Sequence, residues 1–187
     1  MQELDLIQCF VLPIENAGME YMISGSVASS LLGEPRFTAD IDIALFLSRE
    51  QRDELPGVFP ADHFYLPPRE VIEIECEREV RGHFNMIHHA TGMKADVYPS
   101  RNHPFLPWAL KNKLRFPYGD SLITLAPAEY VILHKLAFFQ ESQHGKHIRD
   151  IAALCRMQNV DREFLRIATQ QLHLGNEWHT VISSLDS

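Results

Sequence analysis

Cysteine is scarce in this chain. Cys9, Cys76 and Cys155 are the only three in 187 residues, odd in number and widely spaced. That excludes a disulfide framework, and with no CxxC present it fits a reducing compartment. Long apolar runs are missing too: nothing approaches the roughly 20 residues needed to span a bilayer. The opening MQELDLIQCF has neither the basic start nor the long apolar stretch of a secretory leader. A cytoplasmic protein with no membrane partner is therefore expected. Positive charge is also short, with 17 Lys and Arg against 25 Asp and Glu and a net charge of −8. Such a balance disfavours sequence-blind nucleic-acid binding, although a local basic patch would still permit RNA contact. Neither a GxGxxG fingerprint nor a P-loop is present, so neither a dinucleotide fold nor a P-loop NTPase is supported.

What the chain does have is a hydrophobic fraction of 45%. That is enough for one compact domain, or one domain with a helical appendage. Apolar spacing predicts a helix over 3–17, with Pro13 awkward inside it and Gly18 as its stop. A short strand over 21–24 leads to a helix over 26–32, ended by Gly33. A strand follows over 39–47, then a helix from 48 to 55 started by Ser48 and Gln51. The Pro-rich stretch 56–68 reads as a loop. Residues 71–79, 83–89 and 94–98 read as strands, and 112–125 as a hairpin turning at Tyr118-Gly119-Asp120. After Pro127 the pattern becomes helical, over 128–140, 145–157 and 161–172, with a fourth candidate at 177–185. The expected class is α/β (α+β): a mixed sheet with flanking helices over residues 1–126, then a helical part over 127–187 packed on it.

The segment SGSVASSLLGEPRFTADIDIALF, residues 24–46, concentrates the chemistry. Alternation along the strand puts Asp40, Asp42 and Ala44 on one face and Ile41, Ile43 and Leu45 on the other. Acids at i and i+2 stand about 6–7 Å apart at their Cα atoms, close enough for both to reach one metal ion. An acid inside an apolar strand is costly without a partner or cation, which counts against an ordinary solvated pair. Hard oxygen ligands that leave positions open for phosphates suit Mg²⁺. Asp96, on the short strand KADVY, is the candidate third carboxylate. Just upstream, Gly25 lets the backbone approach a ligand, and Ser26 opens a helix whose N-terminus favours anions.

Together these residues resemble the nucleotidyltransferase superfamily with the polymerase-β-like fold. The pattern there is a Gly-Gly or Gly-Ser turn, a helix, an acid-hydrophobe-acid strand and a later third acid. Here it reads Gly25-Ser26, residues 27–39, Asp40-Ile41-Asp42 and Asp96. Arg36 and Thr38 match the R-x-T-x-D-x-D form of the small prokaryotic branch that includes abortive-infection-type toxin nucleotidyltransferases. The likeness covers most of residues 20–157. It implies transfer of a nucleoside monophosphate from an NTP to an RNA (tRNA), protein or small-molecule acceptor, with release of pyrophosphate. In that scheme Asp40 and Asp42 hold Mg²⁺, one ion or two, with Mn²⁺ as a substitute. Asp96 completes a second metal site or takes the acceptor's proton. Gly25, Ser26, Arg36 and Lys135 bind the nucleotide. A toxin of a toxin–antitoxin pair, with an antitoxin partner, is one biological setting this implies, and an aminoglycoside-modifying enzyme is another. An inactive nucleotide-binding or docking module of the same fold is the alternative.

The remaining polar residues have plainer readings. Lys135 lies in an apolar helix, VILHKLAFF, where a snorkelling side chain is the alternative to a phosphate contact. Asp150 is expected to pair with Lys135 and orient it. His144 and His147, and the neighbours His88 and His89, lack a Cys or acid at common zinc spacing. Lys111, Lys113 and Arg115 are expected to guard an edge strand. Trp108 and Phe116 are expected to pack in the core in preference to stacking on a base.

Overall fold

The computed structural model describes residues 5–35, 37–79, 82–99, 103–157 and 159–185. A π-helical turn, Ile7–Val11, runs directly into α1, Leu12–Asn16. Residues 3 and 4 lie outside the described residues; from there on the helix predicted over 3–17 is present but irregular. Pro13 lacks an N–H and its ring collides with the carbonyl four residues back. The π turn, in which the Leu12 N–H reaches the Ile7 carbonyl, opens the backbone where Pro13 enters. Gly18, at φ +65°, takes the left-handed conformation just after the helix ends.

Strand β1, Glu20–Ser24, leads through Gly25 into α2, Gly25–Leu32, and the chain returns along β2, Asp40–Phe46. Helix α3, Arg49–Val58, starts with a reciprocal cap between Ser48 and Gln51. Beyond it, β3 is only Phe64–Tyr65, inside the stretch expected to be a loop. Then come α4 (Arg69–Glu77), β4 (Phe84–His88), β5 (Lys94–Tyr98), α5 (Leu106–Lys111), β6 (Leu114–Tyr118) and β7 (Ser121–Leu125). The last four helices are α6 (Ala128–Ser142), α7 (Gly145–Cys155), α8 (Arg162–Gln171) and α9 (Gly175–Leu185).

Two expectations about secondary structure fail. Residues 71–79 are not a strand: 71–77 belong to helix α4. The alternation of Ile72, Ile74 and Cys76 imitates a strand, yet only Ile72 is buried, with Cys76 one turn on, while Ile74 is 59% exposed. The glutamates between them favour a helix, and Arg69 pairs with Glu73 along its surface and with Asp53 of α3. Helix α5 was not anticipated; Pro107 sits in its first turn, where its missing N–H costs nothing.

The strands form one mixed sheet in the order β3-β4-β5-β2-β1-β7-β6. β2 runs antiparallel to β1 and parallel to β5, so it lies in the middle. Its Ile41, Ile43 and Leu45 are fully buried on one face. The edge strand β6 is held as expected, with Arg115 on Glu15 at 2.7 Å and Lys113 near Glu20 at 3.6 Å. Trp108 stacks on Phe164, a packing contact between α5 and α8. Helix α2 packs on β1 and β2 from one side and against α6 and α7 from another. α6 is apolar nearly all round, as a helix at the centre of a helical layer must be.

Candidate active site

The acids converge because of strand register. Asp42 of β2 is the direct partner of Asp96 on β5, and Asp40 is the partner of Lys94. On the other side Asp42 faces Ser24 of β1. Asp96 in turn faces Asn85 of β4. A row of polar side chains therefore crosses the middle of the sheet, where apolar residues would otherwise sit.

Each carboxylate is held differently. Asp42 Oδ2 accepts a bond from the Ser26 backbone N–H at 3.4 Å, and its Oδ1 accepts one from the Tyr98 hydroxyl at 3.3 Å. Asp40 Oδ1 accepts from the Thr38 hydroxyl at 2.7 Å. Asp96 meets nitrogen on both sides: His83 Nε2 lies 3.2 Å from Oδ1 and Lys94 Nζ 3.0 Å from Oδ2. Burial, and then the charge of Asp96, push the Asp42 carboxyl above its ordinary range; the Ser26 N–H pulls the other way, and Asp40 adds to the rise. Burial and the neighbouring acids push the Tyr98 phenol well up, so it stays a hydrogen-bond donor.

The Gly25-Ser26 turn is built against Asp42. Gly25 has φ +59°, and a Cβ placed on it would overlap the Asp42 carboxylate. Only glycine allows α2 to start this close to β2. Ser29 ties the first turn by donating its hydroxyl to the Gly25 carbonyl at 2.7 Å.

Lys135 of α6 does not snorkel. It is 4% exposed and its Nζ lies 2.7 Å from Asp150 Oδ2 on α7. Its positive charge also acts on Asp42, lowering that carboxyl's affinity for protons. Asp150, Lys146 and Arg149 line a cleft of about 230 Å³ with Ser29 of α2. Among the sequence-based candidates, Gly25, Ser26, Asp40, Asp42 and Asp96 come together, with Lys135 acting on the cluster from α6. Arg36 lies outside the described residues. His83, Lys94 and Tyr98 went unnoticed. Lys94 and Tyr98 sit two residues either side of Asp96, on its own strand face, so the same alternation would have found them.

The donor set is all oxygen, and the mutual repulsion at Asp42 is what a hard cation relieves. Asp40 and Asp42 fit such an ion, since their present partners are hydroxyls and a backbone N–H. No three His, Cys, Asp or Glu side chains among the described residues form a closed metal cluster as they stand. His134 stacks on His103, with ring centroids 4.6 Å apart, and touches Tyr130.

No family model matches the chain, and no curated protein matches it. Among solved structures, the solution structure of the antibiotic-resistance factor ANT(2'')-Ia matches with TM-score 0.58 and 14% identity, over 97% of this chain and 93% of that one. The crystal structure of ANT(2'')-Ia in complex with adenylyl-2''-tobramycin matches with TM-score 0.58 and 16% identity, over 90% and 97%. The fold is of the nucleotidyltransferase type. A nucleotidyltransferase-like protein from Paracoccidioides brasiliensis also matches, at TM-score 0.49 and 15% identity over 90% of this chain and 89% of that one.

Proposed function

We propose that this chain is a metal-dependent nucleotidyltransferase that moves a nucleoside monophosphate from an NTP to a hydroxyl of a small-molecule acceptor. The observation that carries the reading is the in-register pair Asp42 and Asp96, with Asp40 on the same face, beside a turn that only Gly25 can make. Asp40 and Asp42 would hold a divalent ion, which when bound neutralises charge on the reacting phosphate oxygens. The Ser26 N–H and the start of α2 favour the triphosphate. Lys135, paired with Asp150, adds a fixed positive field from α6. The acceptor oxygen attacks the α-phosphorus as the bond to the β-phosphate oxygen breaks, and pyrophosphate leaves. The protein's own part is mainly to position reactants and fix charges.

A small acceptor is favoured over RNA by two facts. The net charge is −8, which suits a cationic substrate and repels a phosphate backbone. The match to ANT(2'')-Ia, whose crystal structure holds adenylyl-2''-tobramycin, runs nearly end to end in both chains. The test is incubation with each α-labelled NTP, Mg²⁺ and a panel of aminoglycosides, beside tRNA and a cell extract. Label on an aminoglycoside supports the reading. Label on tRNA or protein instead would keep the reaction and move the acceptor to the toxin class. Nucleotide-dependent thermal stabilisation without any transfer would leave a binding module of the same fold.

A further inference from the structure

Among the described residues, Lys94 brings a full positive charge to this cluster from inside the sheet face itself. It lies two residues before Asp96, on the same face of β5, and the parallel register sets it beside Asp40. Its Nζ is 3.0 Å from Asp96 Oδ2, and His83 Nε2 takes the other oxygen at 3.2 Å. Both oxygens of Asp96 are thus committed to nitrogen. Asp40 and Asp42 differ: among the described residues their partners are Thr38, Tyr98 and the Ser26 N–H, neutral donors that a cation can outcompete.

We propose that Lys94 is the built-in cation of this site, so that the chain takes up one divalent ion, on Asp40 and Asp42, and Asp96 serves the acceptor hydroxyl and not a second metal. This rests on the nucleotidyltransferase reading given above. A divalent ion bridging Asp42 and Asp96 would have to settle next to the Lys94 ammonium and displace it, against like-charge repulsion. With the ammonium in place, Asp96 is held in a fixed orientation by His83 and Lys94. In the transfer step the acceptor O–H bond breaks and its proton passes to Asp96. The oxygen forms a bond to the α-phosphorus, the α–β phosphoanhydride bond breaks, and pyrophosphate carries off the electron pair. Asp96 then gives its proton to water. His83 is a positioning residue, since it acts through Asp96.

The test counts Mn²⁺ bound per chain, by electron paramagnetic resonance and by calorimetry, with a non-hydrolysable NTP analogue at saturation. Wild type should bind one ion. Lys94→Met and Lys94→Gln should bind two, and Lys94→Arg, which keeps the charge, should stay at one. Two ions in wild type, or one ion of unchanged affinity in both uncharged variants, would overturn the proposal; should those variants fail to fold, the wild-type count still decides it. Wild-type protein that binds neither Mn²⁺ nor the analogue would instead remove the nucleotidyltransferase reading itself, and the role of Lys94 with it. A separate arm follows single-turnover rate against pH: His83→Gln, which keeps an N–H donor, should retain the wild-type profile. His83→Ala should lower the rate about tenfold, the size of effect that loss of an orienting hydrogen bond has on the residue it holds at metal sites.

Discussion

Gly25 and Asp42 share one volume: the Cβ that Gly25 lacks would fall inside the Asp42 carboxylate. The turn and the acid are therefore a single unit, and a methyl group at position 25 must push the carboxylate away or unwind the start of α2. Gly25→Ala is expected to cost about 1–2 kcal/mol from its left-handed backbone alone. Thermal unfolding should show a drop of about 2–4 °C per kcal/mol. Stabilisation by Mg²⁺ and NTP should vanish in the same variant, read by the same melts.

Asp42→Asn tests the buried acid through its sign. A carboxyl whose folded value is raised costs the folded state stability once pH exceeds its ordinary value, and the cost is complete above the raised one. In EDTA, the variant should therefore melt higher than wild type at pH 7, with the gap closing as pH falls toward the ordinary carboxylate range. With Mg²⁺ and NTP added, wild type should gain stability and the variant should not. Turnover should fall about 100-fold or more, the scale of losing one preorganised electrostatic group. A variant that melts lower than wild type in EDTA at pH 7 would contradict this account of Asp42.

Lys135 and Asp150 form a buried pair, with side chains 5% and 11% exposed. Asp150→Ala takes away the carboxylate paired with a buried ammonium and should destabilise by about 3–5 kcal/mol in urea unfolding. Lys135→Met combined with Asp150→Leu should recover much of that loss. The double variant should still bind NTP more weakly than wild type, because the field on the phosphates has gone.

The His103–His134 stack predicts a second pH effect, opposite in sign to that of Asp42. Burial, and then the nearby His103, push the His134 imidazole down to about 3, and its Nε2 has no hydrogen-bond partner among the described residues. Between that value and the ordinary 6.5 the unfolded chain holds the extra proton, so stability is full above 6.5 and is lost as pH falls. His134→Phe keeps a ring in the stack and should flatten the acid side of the melting curve. An unchanged acid slope would mean that His134 does not drive it.

The acid pair was legible because strand alternation is a strong local signal, and Asp40, Ile41, Asp42 and Ile43 obey it at the start of β2. Asp96 stood out as an acid on a short strand between apolar Ala95 and Val97, although nothing in KADVY says which strand it lies beside. His83 was not legible at all: it meets Asp96 only because β4 runs antiparallel to β5, a relation set by the turn between them. Residues 71–77 misled for the reverse reason. Three apolar residues at alternate positions satisfy a strand, and the helical partners that reveal α4, Asp53 on α3 among them, are distant in sequence. The inward position of Lys135 followed from α7, because Asp150 is what makes a buried ammonium tolerable.

Helix α2 has eight residues, fewer than an isolated helix needs to persist in water. Its shape is imposed by β1 and β2 beneath it and by α6 and α7 beside it. A ribosome-bound chain that has made every acid of the cluster but not yet residues 128–155 would thus lack half the mould for its Gly25-Ser26 turn. The turn is fully enclosed only once these later helices have come back to clasp it.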